Sequence, residues 1–99
     1  YGKTKEILDL EPLRLKLESF GYKVSEVNGH NVNNLKKYFT KIKKNKDKPT
    51  ALICHTIKGK GFPFAENNPY WHHKNSFTEK EVKEINKYLG KNNLWDRHV

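Results

Sequence analysis

Thr50-Ala51-Leu52-Ile53-Cys54, running on into His55-Thr56-Ile57-Lys58-Gly59-Lys60-Gly61, is an almost continuous apolar stretch that breaks into glycines and lysines. Apolar runs without alternation are expected of strands covered on both faces, as in a parallel sheet. The pattern predicts a strand over 50–56, opened by the breaker Asp47-Lys48-Pro49 and closed by a loop at its carboxyl end. Ligands of open parallel sheets bind at such ends.

Upstream, Tyr22-Lys23-Val24-Ser25-Glu26-Val27 is rich in strand formers and bounded by Gly21 and Asn28-Gly29, which predicts a first strand over 22–27. Asn31 is the expected N-cap of a helix over 32–44, with Val32, Leu35, Phe39 and Ile42 on its apolar face. Strand, helix and strand in this order make a βαβ unit, with a crossover long enough to keep the strands parallel. Before it, Leu10, Leu13, Leu17 and Phe20 mark a helix from Pro12 to Gly21. After the loop, Thr78-Glu79-Lys80-Glu81 has the capping-box pattern, and Val82, Ile85 and Leu89 form the face of a last helix stopped by Gly90. The tail from Lys91 to Val99 is polar, with Leu94 and Trp95 as candidate anchors. Two strands do not make a stable sheet. The expected architecture is therefore a partial three-layer α/β domain whose remaining strands lie elsewhere.

Bulk composition agrees. The chain has 99 residues, 34% hydrophobic and 31% charged, which limits it to one small domain with a thin core. A formal charge of +9 attracts phosphates, nucleic acid or acidic surfaces without choosing among them. Only Arg14 and Arg97 are arginines, and base readout favours the guanidinium fork, which argues against nucleic acid as a partner. The single cysteine, Cys54, excludes an intrachain disulfide and fits a reducing, cytoplasmic setting. No apolar run is long enough to predict a membrane span. The chain holds no methionine and opens on Tyr1, so a piece of a longer protein, or a processed chain, is expected.

The loop carries the chemistry. Glycines let backbone approach an anion, and lysine ammonium groups add point charges, so a diphosphate or sugar phosphate is the natural guest of Lys58-Gly59-Lys60-Gly61. By itself the same string reads more readily as a turn with solvated lysines, since charge runs are usually surface. It lacks the third glycine of a dinucleotide fingerprint and does not have Walker A spacing. Cys54, His55, His72 and His73 are ligand types, but adjacent pairs give none of the spacings of structural zinc sites. Cys54 reads as a buried strand residue, while His55 and His30 read as polar residues at a strand end and a turn. Glu66 reads as an acceptor that orders the loop.

The longer string from Thr56 to His72 contains T-I-K-G-K-G, then E-N-N-P-Y-W-H, and resembles the cofactor-contacting loop of transketolases. Asp9-Leu10-Glu11-Pro12-Leu13, Phe20-Gly21-Tyr22 and Glu26-Val27-Asn28-Gly29-His30 resemble further segments of that family in the same order. The likeness runs from about Ile7 to Ile85 and is closest to the N-terminal subunits of two-part transketolases. It implies that residues 1–99 form the C-terminal part of a thiamine-diphosphate-binding domain, completed by another chain or a missing segment. It further implies that Lys58 and His72 contact thiamine diphosphate, that His72 also meets the sugar phosphate substrate and serves catalysis, and that Trp71 packs the loop behind it. Magnesium is implied too, held by a G-D-G motif and an asparagine that this chain lacks, so a companion chain would carry the metal motif and the pyrimidine-binding domain. His73 stands where the family usually has glycine. Deoxyxylulose-phosphate synthase, whose loop also contains K-G-K-G, is an alternative within the same cofactor class. A non-enzymatic basic binding module is the alternative outside it.

Overall fold

The computed structural model describes residues 2–44 and 46–92. In chain order these form α1 (Thr4–Ile7), α2 (Leu13–Ser19), β1 (Lys23–Asn28), α3 (Val32–Ile42), β2 (Thr50–His55), a 3-10 turn (Pro69–Trp71) and α4 (Glu79–Asn92). They fall into two compact units, one from Gly2 to Thr56 and one beginning at Ile57. Leu94 and Trp95 lie outside the described residues. No described helix is long and apolar enough to cross a membrane.

In the first unit, α2 ends as its sequence dictates. Gly21 takes a left-handed φ of 95°, its N–H donates to the Glu18 carbonyl at 2.9 Å, and the Tyr22 N–H reaches the Leu17 carbonyl at 3.2 Å. This paired closure satisfies carbonyls that the last helical turn leaves open and turns the chain into β1. The next helix, α3, opens on the predicted cap, the Asn34 N–H donating to Asn31 Oδ1 at 2.9 Å. It carries the chain to β2, which pairs parallel to β1 from Lys23↔Thr50 to Asn28↔His55.

Successive strand residues point to opposite faces. Glu26 meets Arg14 of α2, Nη1 to Oε2 at 3.0 Å. Its neighbour Ser25 lines a small cleft with Tyr38 and Ile42 of α3. The sheet thus lies between α2 and α3, and the three-layer α/β arrangement is present in a two-stranded form.

The structure departs from the sequence reading at several places, the predicted helix-face residues Leu10, Phe20 and Val82 among them, at 46%, 79% and 42% exposure. The strand β2, expected to be covered on both faces, is half-buried from Thr50 to Ile53 and exposed at Cys54 and His55. The thin core falls instead on β1, through Val24 and Val27 at 7% and 6% exposure. Both helices pack on β1, and no described strand covers the outer edge of β2. The inward stripe of α3 is Leu35, Tyr38 and Ile42, while Val32 and Phe39 stay 74% and 55% exposed. Tyr38 is half-buried and lines the same small cleft as Ser25. Finally, α4 does not stop at Gly90 but runs through it to Asn92. Glycine costs a helix interior only about 1 kcal/mol, which the flanking turns can carry.

In the second unit the core is aromatic. The Phe64 ring lies 5.6, 5.0 and 5.7 Å from those of Phe62, Trp71 and Tyr88, and Trp71 stacks on Phe77 at 5.9 Å. Ala65, at 8% exposure, sits in the loop beside this cluster. The capping box forms as predicted, with the Thr78 N–H donating to Glu81 Oε1 at 2.8 Å and the Glu81 N–H to Thr78 Oγ1 at 3.2 Å.

Candidate functional site

Lys58 follows β2 by three residues and opens a loop that closes on itself at Asn67, whose N–H donates to the Lys58 carbonyl at 2.9 Å. Between these ends the chain turns at Gly59 and Gly61, with φ of 77° and 107°. Gly59 is there for a second reason. A Cβ built on it would stand 2.5 Å from the Ala65 carbonyl oxygen, so only glycine lets the two arms meet. Within the loop the Phe62 carbonyl accepts from Ala65 at 2.8 Å and from Glu66 at 3.0 Å. The carboxylate of Glu66 accepts from the Gly61 N–H at 3.4 Å, a loop-ordering contact rather than an acid-base arrangement. Lys58, at the neck where the loop closes, is exposed.

His72 is presented by the 3-10 turn. Asn68 caps that turn, accepting the Tyr70 N–H on Oδ1 at 3.1 Å and donating its amide to the Phe64 carbonyl at 3.1 Å. The His72 N–H then donates to the Pro69 carbonyl at 3.0 Å. Trp71 fills the space beneath, between Phe64 and Phe77, as expected of a residue that packs the loop. The His72 ring meets that of His73 edge to face, 4.2 Å between centroids. Desolvation, then the positive charges of Lys58 and His73, hold the His72 imidazole below the usual histidine range. The structure thus brings Lys58 and His72 within electrostatic reach of each other. That direction favours the neutral ring, which has one N–H donor and one acceptor nitrogen.

The arrangement suits an anion with a polar, partly protonated neighbour. A cation, two turn glycines and an imidazole stand on one loop, whose Phe64 and Trp71 rings pack 5.0 Å apart. Among the described residues no group of three or more His, Cys, Asp or Glu side chains could hold a metal ion. Cys54 is a free, exposed thiol rather than the buried strand residue expected. His55 Nε2 donates to Glu26 Oε1, 2.9 Å away, on the face of the sheet that carries Arg14. His55 first, and Arg14 second, hold the Glu26 carboxyl below the usual carboxylate range.

One residue of this unit had no signal in the periodicity. Lys74 Nζ lies 4.0 Å above the centre of the Tyr70 ring, 5.1 Å from Trp71, and 2.8 Å from Glu81 Oε2. A lone lysine in a polar loop reads as solvated. Only its proximity to two aromatic residues and a capping glutamate could have drawn notice.

The family model for the transketolase thiamine diphosphate binding domain matches residues 2–96. An apulose-4-phosphate transketolase subunit from Phocaeicola vulgatus is 39% identical over 72 residues, 73% of this chain and 26% of that protein. The 6-deoxy-6-sulfo-D-fructose transketolase subunit SqwG from Clostridium sp. is 40% identical over 65 residues, 66% of this chain and 24% of that protein. The 1-deoxy-D-xylulose-5-phosphate synthase of Treponema pallidum is 45% identical over 51 residues, half of this chain and 8% of that protein. The chain spans about a quarter of the length of the two transketolase subunits.

Proposed function

This chain belongs to the transketolase thiamine diphosphate binding domain family, and on that premise we propose that it is a component of a transketolase-type enzyme transferring a two-carbon ketol unit between sugar phosphates. It contributes the loop from Lys58 to His72 and is incomplete on its own. When bound, thiamine diphosphate supplies the electron sink for breaking and making the carbon–carbon bond. Lys58 sets a positive charge against the diphosphate. His72 donates an N–H to a phosphate oxygen, or to a hydroxyl or carbonyl oxygen of the donor sugar, and steadies charge that develops there during reaction. The carrying observation is the self-closed, glycine-turned loop that begins at Lys58 and leads into the capped turn presenting His72.

Magnesium and its ligands belong, in this reading, to a companion chain that also brings the pyrimidine-binding domain. That the transketolase relatives from Phocaeicola vulgatus and Clostridium sp. are themselves named as subunits supports a companion. A cytoplasmic setting accords with the single free thiol of Cys54. The likeness to 1-deoxy-D-xylulose-5-phosphate synthase over half the chain is the one observation that favours a second reading, in which the same loop serves that product.

The test is to purify the chain with its companion and assay cofactor-dependent ketol transfer, beside formation of 1-deoxy-D-xylulose 5-phosphate, for wild type, Lys58→Ala and His72→Ala. Ketol transfer lost in both variants is the expected result. Full activity of both, or no transfer by any assembly containing this chain, would overturn the assignment.

A further inference from the structure

We propose that Lys74 is a positioning residue for His72, a cation pinned so that the backbone on the carboxyl side of the histidine cannot swing; the functional part of this inference rests on the role given to His72 above. Three observations carry it. The Lys74 and Glu81 side chains are only 10% and 15% exposed and meet at 2.8 Å. The Lys74 ammonium also sits over the faces of Tyr70 and Trp71, at 4.0 and 5.1 Å, within the reach at which ring quadrupoles attract a cation. And Glu81 is itself held, because its other oxygen closes the capping box on the Thr78 N–H at 2.8 Å.

The geometry differs from that of a surface ion pair, which contributes little because both partners are solvated and free to move. Here the carboxylate belongs to the first turn of α4 and is already ordered, so it serves as a fixed post. Lys74 ties the loop to that post two residues after His72, and its contact with Trp71 grips the residue before it. On the amino side the His72 N–H is tied to Pro69 and the turn is capped by Asn68. His72 is thus anchored from both directions while the residue as a whole stays exposed. A neutral apolar residue in place of Lys74 could fill the cage but would leave Glu81 without its cation and the tie undone. An arginine keeps the charge, the carboxylate partner and the affinity for aromatic faces.

Two readouts on the assembled enzyme test this. In the assembly without cofactor, NMR of the His72 ring should show one set of signals in wild type and Lys74→Arg. Lys74→Met and Glu81→Gln should each shift the titration midpoint of His72 or split its signals. In the loaded enzyme, Lys74→Met should lower kcat/KM by about ten- to a hundredfold, the scale of a misplaced contact group, with Lys74→Arg recovering most of the loss. The double variant Lys74→Met/His72→Ala should fall no further than His72→Ala alone, whereas a general structural role would make the two losses multiply. Unchanged His72 signals in both Lys74→Met and Glu81→Gln would overturn the pin, as would multiplying losses. Normal activity of His72→Ala would instead strike the functional reading, and the ring signals would still decide whether Lys74 positions the histidine. Should Lys74→Met fail to fold, Glu81→Gln, which retains the capping acceptor, carries the same comparison.

Discussion

Replacing Gly59 by alanine tests whether the closed loop is the binding-competent one. The residue has a φ of 77°, and a left-handed conformation costs a non-glycine residue about 1–3 kcal/mol. The added Cβ would also lie 2.5 Å from the Ala65 carbonyl oxygen and 2.7 Å from its carbon, both backbone atoms that cannot rotate away. Relief requires the two arms to part, which strains the Asn67 to Lys58 bond of 2.9 Å and the Ala65 to Phe62 bond of 2.8 Å. Each such bond is worth about 0.5–1.5 kcal/mol net. A total near 3 kcal/mol would leave the closed loop about a hundredfold less populated relative to open forms. Gly61→Ala is the matched control, since its φ is 107° but a Cβ there meets nothing within 4 Å. Calorimetric titration of the assembled enzyme with thiamine diphosphate should therefore show Gly59→Ala binding several-fold more weakly than Gly61→Ala, and both more weakly than wild type. Equal affinity of the two variants would refute the close-approach argument, and wild-type affinity of Gly59→Ala would refute the closed loop as the binding form.

Two further outcomes are expected. Because Lys58 is one of the charges that lower the His72 pKa, the His72 midpoint measured by NMR should lie below 6.5, and Lys58→Ala should raise it toward that value. A lowered folded-state value means that the unfolded chain binds the extra proton first, so His72 favours the folded state above pH 6.5 and opposes it as pH falls through the window between 6.5 and its folded midpoint; His72→Gln should remove that part of the acid sensitivity in a pH series of thermal melts. Asn31→Ala removes the acceptor of the Asn34 N–H and should destabilise the assembly by about 1 kcal/mol in denaturant titration, with Asn31→Ser recovering most of it.

Much of the site was readable before any fold was known. Asn31, Gly21 and the pair Thr78 and Glu81 act through neighbours within four residues, and each closes its helix end as the sequence indicates. The loop from Lys58 to His72 carried its glycines, its cation and its imidazole in one contiguous string. Burial was less readable. Cys54 and His55 continue an apolar strand, yet they are exposed because no described neighbour covers them. Val32 and Phe39 fit a helical stripe as well as Tyr38 does, yet they are exposed and Tyr38 is half-buried, lining a cleft with Ser25.

The amino-acid sequence by itself determined the order of the elements, the parallel pairing through a helical crossover, the family, and the loop on which Lys58 and His72 stand. These follow from turn chemistry, capping and periodicity, whose causes lie within a few residues along the chain. The tertiary structure alone decided which strand carries the core, which stripe of α3 faces it, and the cage that holds Lys74 between Tyr70, Trp71 and Glu81. The reason is that burial and cation–aromatic contact depend on distances between elements. A lysine that reads as solvent-facing from its neighbours becomes a fixed charge only when packing brings two ring faces and a capped carboxylate to the same point.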